Sequence, residues 1–564
     1  MSRLNPRTFA TFAPLLPASS CGTPTPGMSR LLTHIQPRSS DFQRNRAHML
    51  ALLGTLEDRQ RANREAGGVK AASKLAKRGK LSARERIERL LDRDGSFLEL
   101  SPLAAWGQYD GEAPGAGCIS GIGQVSGRWV FLSANDTRVK GGAVYPIGAD
   151  KMIRGQQIAL ENNLPCVALV ESAGANLLFQ AELFAPGNRG GRGFCNQARM
   201  SAAGIPQIAI VFGNGTAGGA YVPGMSDYTV MVRKHAHVYL AGPPLVKAAT
   251  GADADDEALG GADMHHTVSG LCDYVAEDDA DAIRIGREII AHLGKPNHHV
   301  PREIPEDPLY DPEELLGLVP PELKIPFDIR EVIARIVDAS DFDEFRAGYG
   351  PTLVCGFARI DGFNVGILGN NGPLFSPSAL KATHFIQLCC QKRFPIIYLQ
   401  NITGFMVGVE AERGGIVKDG AKMVHTVATA SVPQFTVLVG GCFGAGNYGM
   451  CGRAYDPRLL LTWPSSRIAV MGGEQAARVM RIVQEEAMRK LGATADAAEM
   501  AAMEEMVKGE FDRQSDPYFA TAQLWDDGII DPRHTRQALA IGLHAAWQRD
   551  VIAAGHPRFG VLRM

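Results

Sequence analysis

Residues 201–221 read SAAGIPQIAIVFGNGTAGGAY, and residues 428–448 read ATASVPQFTVLVGGCFGAGNY. Pro206 matches Pro433, Gln207 matches Gln434, Gly213 matches Gly440 and Tyr221 matches Tyr448, every pair at the same spacing. Two further blocks keep the same order. PCVALVESAG at 165–174 matches PIIYLQNITG at 395–404, and Gly127 and Val130 match Gly362 and Val365, both at nearly that spacing. Any α/β chain repeats strand–glycine–helix units, but three blocks in one order at nearly one offset mean a duplicated domain. The 564 residues are therefore expected to form two large domains, at 41–315 and 318–556. A proline-dotted linker near 301–321 separates them, and a disordered extension occupies 1–40.

The repeated block predicts its own local structure. Residues 208–212 (IAIVF) are short, apolar and β-branched, as in a strand covered on both faces. Gly213, Gly215, Gly218 and Gly219 then let the backbone turn sharply and approach another group closely. A helix that opens after such a loop offers N–H groups able to hold an oxyanion. The fold class is α/β.

Composition narrows the function. Hydrophobic content of 45% and charged content of 21% are those of an ordinary globular protein. A net charge of −2 gives no whole-chain case for nucleic acid or an anionic membrane surface. No run approaches the roughly 18 apolar residues of a membrane span. The ten cysteines are scattered without CxxC pairs, which predicts a reducing compartment and no metal site. No acidic residue precedes Asp41, as in a mitochondrial transit peptide, but Pro6, Pro14, Pro17, Pro24 and Pro26 oppose an amphipathic helix. MSRL occurs at 1–4 and again at 28–31, so a start at Met28 in a bacterial cytoplasmic protein is the favoured reading. The mitochondrial matrix is the alternative if residues 1–27 are a transit peptide.

Between the repeated blocks, residues 74–86 (KLAKRGKLSARER) carry a basic cluster, read as a solvated helix face or an anion contact. A β-hairpin is expected around Ser126-Gly127, a helix over 150–162, and an irregular segment over 180–192 that suits a substrate lid or pocket wall. The pairs His265-His266 and His298-His299 lack partners at ligand spacing and read as surface histidines.

No nucleophile elbow, Walker loop or dinucleotide fingerprint is present. What the chain has is four glycine-rich loops at strand-to-helix junctions, two per repeat. If each pair converges its N–H groups on one oxygen, each repeat builds one oxyanion hole. Two such holes suit a reaction between two enolate-like species, with binding geometry and electrostatics supplying the rate.

The strings around these loops carry a resemblance. They are AND at 134–136 with VKGG at 139–142, TAGGAYVP at 216–223, LAGPPLVKAATG at 240–251, LQNITGFMVG at 399–408, GAGNYGMCGRA at 444–454, MGGEQAA at 471–477 and WDDGIIDP at 525–532. From about residue 41 onward the chain resembles the carboxyltransferase (β) subunits of biotin-dependent acyl-CoA carboxylases, of the methylcrotonyl-CoA/geranyl-CoA group. The resemblance implies two tandem crotonase-like (ClpP/crotonase) domains and a homohexameric β core in an α6β6 complex. It implies a separate α subunit that carries biotin and uses ATP and bicarbonate, and no metal in this chain. No biotin-attachment string is present, and Lys422 in GAKMV does not resemble one.

By the same resemblance, Gly218 and Gly219 hold the thioester oxygen of the acyl-CoA, and Gly444, Ala445 and Gly446 hold the biotin ureido oxygen. The substrate-binding residues implied are Gly141, Gly142, Ser172, Ala173, Gly174, Gly190 and Ala220 in the first repeat. Asn371, Gly372, Thr403, Gly404 and Phe405 are their counterparts in the second, where residues 350–379 match the acyl-CoA-binding region of the family. The resemblance implies that carboxybiotin loses CO2, the resulting biotin enolate takes the γ-proton of a 3-methyl enoyl-CoA, and the dienolate attacks CO2 at the γ-carbon.

One departure bears on the substrate. Methylcrotonyl-type chains read like REHFGRxFYNQ where this one has GNRGGRGFCNQ at 187–197. Gly190 replaces a large aromatic residue and Cys195 a tyrosine. The lost volume, on the order of a hundred Å3, is expected to admit a terpenoid tail and favours geranyl-CoA over methylcrotonyl-CoA. A crotonase-type hydratase or decarboxylase is the rival enzyme. It needs an acid–base pair at the loops, whereas Glu171 stands alone and its repeat partner is Asn401. A non-catalytic scaffold is the other rival, against which the retention of all four loops argues.

Overall fold

The computed structural model describes residues 29–65, 75, 77, 79–184, 186–294, 298–491 and 496–549. Two compact units divide the chain: Ala62–His298, and the described residues of Gly27–Arg61 with His299–Met564. This division does not coincide with the expected limits of 41–315 and 318–556. Residues 299–315 and the helix Ser40–Glu65 as far as Arg61 pack with the second unit. The reason is visible at the junction: Glu303 N donates to Gly362 O (2.9 Å) and Arg302 pairs with Asp361 at 2.8 Å.

The strands are β1 (Ser29–Arg30), β2 (Phe97–Glu99), β3 (Cys118–Val125), β4 (Arg128–Asn135), β5 (Cys166–Ser172), β6 (Gln207–Thr216), β7 (Tyr228–Val232), β8 (His237–Tyr239) and β9 (Tyr274–Ala276). In the second unit they continue as β10 (Asp341–Glu344), β11 (Leu353–Ile360), β12 (Phe363–Asn370), β13 (Ile396–Ile402), β14 (Gln434–Phe443), β15 (Leu459–Thr462) and β16 (Arg467–Ala469). The first sheet has the order β2-β3-β4-β5-β6-β7-β9, with β8 on β6; the second has β1-β10-β11-β12-β13-β14-β15, with β16 on β14. Both begin with an antiparallel meander and continue in parallel, which makes each an α/β unit with a mixed sheet.

The duplication extends to fine detail. The β3–β4 turn places Ser126 at φ 50° and Gly127 at φ 73°; the β11–β12 turn places Asp361 at 52° and Gly362 at 78°. Two central residues with positive φ make the hairpin turn that matches strand twist. Asp92 accepts the N–H groups of both Ser126 and Gly127 at 2.8 Å, and Asp338 does the same for Asp361 and Gly362 at 2.8 Å. Each aspartate is paired in turn with an arginine from its unit's final described helix, Arg287 or Arg536, at 2.6 Å. The bulge between Val170 and Ser172 on β5 recurs between Gln400 and Ile402 on β13. The helices Pro146–Asn162 and Ser376–Lys392 each span 17 residues, carry proline in the first turn and end on a left-handed residue.

Two expectations are corrected here. Residues 1–28 lie outside the described residues, but 29–40 are ordered: β1 pairs with β10, Ser29 opposite Phe342. His265 is not a surface residue. It is 9% exposed, and its Nε2 and Nδ1 meet Val238 O at 2.7 Å and Ser269 Oγ at 2.6 Å, bracing β8.

Among the described residues no helix is long and apolar enough to cross a membrane, and no group of three His, Cys, Asp or Glu is placed to hold a metal. One buried acid makes stability depend on pH. Burial pushes the Asp526 carboxyl up from 3.8 to about 6, against hydrogen bonds from Thr521 Oγ1 (2.7 Å) and Gly528 N (3.0 Å). A raised folded-state pKa means the folded chain keeps a proton the unfolded chain has lost. Stability of the second unit is therefore expected to fall as pH rises from about 4 to about 6. Denaturant melts of Asp526→Asn across this range check it, since the variant should lose that slope.

Candidate active site

Each repeat ends its long central strand in a turn that leaves two N–H groups open. In the first unit β6 ends at Thr216, Ala217 N donates to Tyr239 O (3.2 Å), and Ala220 N donates to Ala217 O (3.0 Å). Between them, Gly218 and Gly219 start the helix Gly218–Gly224. Among the described residues no protein acceptor takes their N–H groups. In the second unit Gly444 N donates to Ala469 O (3.0 Å) and Asn447 N to Gly444 O (3.1 Å), which leaves the N–H groups of Ala445 and Gly446 open among the described residues. The equivalent pairs are thus Gly218/Gly219 and Ala445/Gly446. Gly444 stands with Ala217, and its N–H is committed to β16. Both turn residues have positive φ, 53° at Ala217 and 58° at Gly444. A helix N-terminus with open donors is a site for developing negative charge on oxygen.

The second loop of the first unit supports this turn instead of adding donors. Gly141 N and Gly142 N are bonded to Thr137 O (3.1 Å) and Val139 O (2.8 Å). Gly142 has φ +83°, and a Cβ there would lie 2.1 Å from Glu171 O, so only glycine fits. Ser172 Oγ donates to Gly142 O (3.1 Å) and accepts from Gly174 N (3.1 Å), and its Cβ lies 3.1 Å from where a Cβ on Gly219 would sit. Val144 N donates to Gly174 O (2.9 Å), as Leu374 N does to Gly404 O (3.0 Å). Ala173 is exposed and Ala220 buried.

In the second unit Asn371 turns away from the turn to hold Ile329 N (2.7 Å) and Asp328 (2.9 Å). Gly372 keeps φ +148°, Thr403 is exposed, and Phe405 packs under Gly420 and Gly449. A network absent from the first unit lies below the second turn: Asn447 Nδ2 donates to Cys442 Sγ, and Cys442 to Gln400 Oε1, both at 2.8 Å. Burial pushes the Cys442 thiol up to about 12, so it remains a donor at neutral pH.

A cavity of about 980 Å3 opens beside the first turn, lined by Gly141, Glu171, Ala173 and Thr216, by the cations Lys80, Arg138, Lys140 and Lys234, and by His237. The basic segment therefore contributes to a site wall and not to a solvated face. Lys80 and Arg86 are both paired with Glu171, the latter at 2.7 Å, and Arg86 is only 2% exposed. Lys74 and Arg78 lie outside the described residues. With two cations on its carboxylate, Glu171 is not a free base, which removes the acid–base group that a hydratase needs.

Two residues near the turn escaped the sequence reading. Phe194 stacks near Tyr221 (ring centroids 5.5 Å) and lies 3.4 Å from where a Cβ on Gly218 would be. Gln197, buried, donates to Val222 O (2.9 Å) and ties the helix Arg192–Ala202 to the helix Gly218–Gly224. Gly190 behaves differently from expectation. Its φ is +48°, and a Cβ there would lie 2.4 Å from Leu183 O, so it aims at backbone and not into an emptied hole. The open space of the segment lies at its other glycines, since Gly187, Gly191 and Gly193 have nothing within 4 Å of a built Cβ.

The carboxyl transferase domain family matches residues 74–562. The chain belongs to that family. Within it, the chain is a carboxyltransferase (β) subunit of the biotin-dependent acyl-CoA carboxylases, in the methylcrotonyl-CoA/geranyl-CoA group. It is 50% identical to the probable methylcrotonoyl-CoA carboxylase beta chain of Drosophila melanogaster, named mitochondrial, over 95% of each chain. It is 50% identical to the biotin-dependent 3-methylcrotonyl-coenzyme A carboxylase beta1 subunit of Mycobacterium tuberculosis, over 91% of this chain and 97% of that one. It also superimposes on the crystal structure of the geranyl-CoA carboxylase beta subunit of P. aeruginosa, with TM-score 0.86 and 46% identity over 94% and 99% of the two chains.

Proposed function

We propose that this carboxyltransferase moves CO2 from carboxybiotin to the γ-carbon of a 3-methyl-branched α,β-unsaturated acyl-CoA, with geranyl-CoA favoured. The observation that carries the reaction is the pair of open N–H turns at equivalent places in the two repeats. Biotin, held on a separate biotin carboxylase/biotin carrier α subunit that uses ATP and bicarbonate, supplies the carboxyl group. Gly218 and Gly219 hold the thioester oxygen as charge develops on it when the γ-proton leaves. Conjugation through the double bond brings that charge to the oxygen, where the two N–H groups stabilise it. Ala445 and Gly446 hold the ureido oxygen. Lys140 and Lys234 in the wall of the 980 Å3 cavity fit the phosphates of CoA. The reading includes a homohexameric β core in an α6β6 complex. It includes the cytoplasm as location, or the matrix if residues 1–27 are removed as a transit peptide.

The long tail is supported by the open space at Gly187, Gly191 and Gly193. Leu177, Leu178 and Phe184, shortly before them in the chain, are 82%, 89% and 86% exposed, apolar surface that suits ten carbons better than five. The five-carbon alternative, methylcrotonyl-CoA, is favoured by the names of the relatives at 50% identity. With the α subunit present, kcat/KM is expected to be higher for geranyl-CoA. Gly193→Ile, whose Cβ meets nothing within 4 Å, is expected to lower the geranyl-CoA value selectively. Turnover of methylcrotonyl-CoA alone would replace the geranyl reading with the five-carbon one.

A further inference from the structure

The two repeats share the course of the turn and differ in what stands behind it. In the second unit Asn401 fills the space over Gly440, where a Cβ would lie 2.4 Å from its Oδ1, and that oxygen accepts from Gly441 N at 3.2 Å. In the first unit the equivalent place is taken by Glu171, whose Oε1 lies 2.4 Å from where a Cβ on Gly213 would be. Glu171 is held by two cations from outside the repeat. Lys80 takes one carboxylate oxygen and Arg86 the other, at 2.7 Å. Arg86 is anchored in turn by Asp279 at 2.9 Å and lies over the Phe212 ring at 4.2 Å.

Glu171 is thus wedged between both glycine loops. Its carbonyl abuts Gly142, its carboxylate rests on Gly213, and the next residue, Ser172, packs on Gly219. Lys80 also faces the 980 Å3 cavity. The geometry points to Lys80, through Glu171, as a positioning residue for the Gly218/Gly219 pair. The cation clamps the 171–174 segment against the turn and so aims two N–H groups at one oxygen. The second unit, with neutral Asn401, has no such clamp among the described residues. Lys80 and Arg86 balance Glu171 and Asp279, two buried cations against two buried carboxylates, so removing Lys80 leaves one negative charge in excess and the wedge shifts. Misplacement of the order of an ångström is enough to cost catalysis heavily.

This inference rests on the reading that Gly218 and Gly219 hold the thioester oxygen, and the test separates the two. Take the full-length chain and whichever of geranyl-CoA and 3-methylcrotonyl-CoA is turned over. Measure its Kd, and that of its thioether analogue lacking the carbonyl oxygen, for wild type, Lys80→Met and Lys80→Arg. The wild type is expected to bind the thioester on the order of tenfold more tightly, the worth of about one to two hydrogen bonds. Lys80→Met is expected to lose that preference while keeping its affinity for the thioether, and Lys80→Arg to restore it. A wild type without preference sinks the oxyanion reading itself. A wild-type preference that survives intact in Lys80→Met overturns the clamp alone. If Lys80→Met does not fold, Glu171→Gln, which keeps the shape and removes the charge, answers the same question.

Discussion

Ala445→Pro is expected to lower carboxyl transfer by about 10²–10³-fold, the loss typical of removing one oxyanion donor, with the fold intact. The substitution removes one N–H at a position already shaped for proline. Ala445 has φ −67°, within the range the pyrrolidine ring imposes, and among the described residues its N–H meets no protein acceptor. The preceding residue is Gly444, which relieves the usual restriction before proline. The side chain is exposed, so the ring meets no packed core. Steady-state kinetics with the α subunit, paired with a thermal melt, check it. A variant that keeps wild-type kcat would show that the Ala445 N–H holds nothing that matters to the reaction.

Gly142→Ala is expected to be the most damaging single methyl in the first unit. The residue is left-handed at φ +83°, and the new Cβ would lie 2.1 Å from a backbone oxygen, Glu171 O, that cannot rotate away. Left-handed strain of roughly 1–2 kcal/mol and overpacking of roughly 1–3 kcal/mol together predict a loss of about 2–5 kcal/mol. The displaced strand end carries Ser172 and with it the support of Gly219, so kcat should fall as well. The equivalent change, Gly372→Ala, meets only Thr352 Cγ2 at 3.5 Å and adds strain without a clash. Its cost should be smaller. Denaturant unfolding of the two variants against wild type decides it, and equal losses would show that the contact at Gly142 relaxes freely.

The contrast between these two glycines shows what the sequence could and could not say. The repeat was legible because strand, turn and helix each leave a local mark: the apolar run of β6, the glycines after it, the proline before it. Those marks recur at β14, and the paired sheets follow from them. The correspondence of Asp92 with Asp338 was missed because each aspartate acts on a hairpin well downstream of it and leaves no pattern of its own. The basic run around Lys80 and Arg86 looked like a solvated face because its acids, Glu171 and Asp279, lie in other elements far along the chain. His265 likewise found its partners only through the packing of β8. Gly444 was placed among the donors because the glycine string does not reveal which N–H the neighbouring β16 consumes. Gly190 read as an absent side chain, and its positive φ shows that it is also a backbone requirement.

If two equivalent turns divide the reaction as proposed, one holding the acyl-CoA and the other the carboxyl donor, the acyl-CoA Kd of Ala445→Pro, taken on the same preparation whose carboxyl transfer has been lost, is expected to equal that of wild type. A Kd weakened in step with the lost turnover would place the acyl-CoA on the second turn and contradict the assignment.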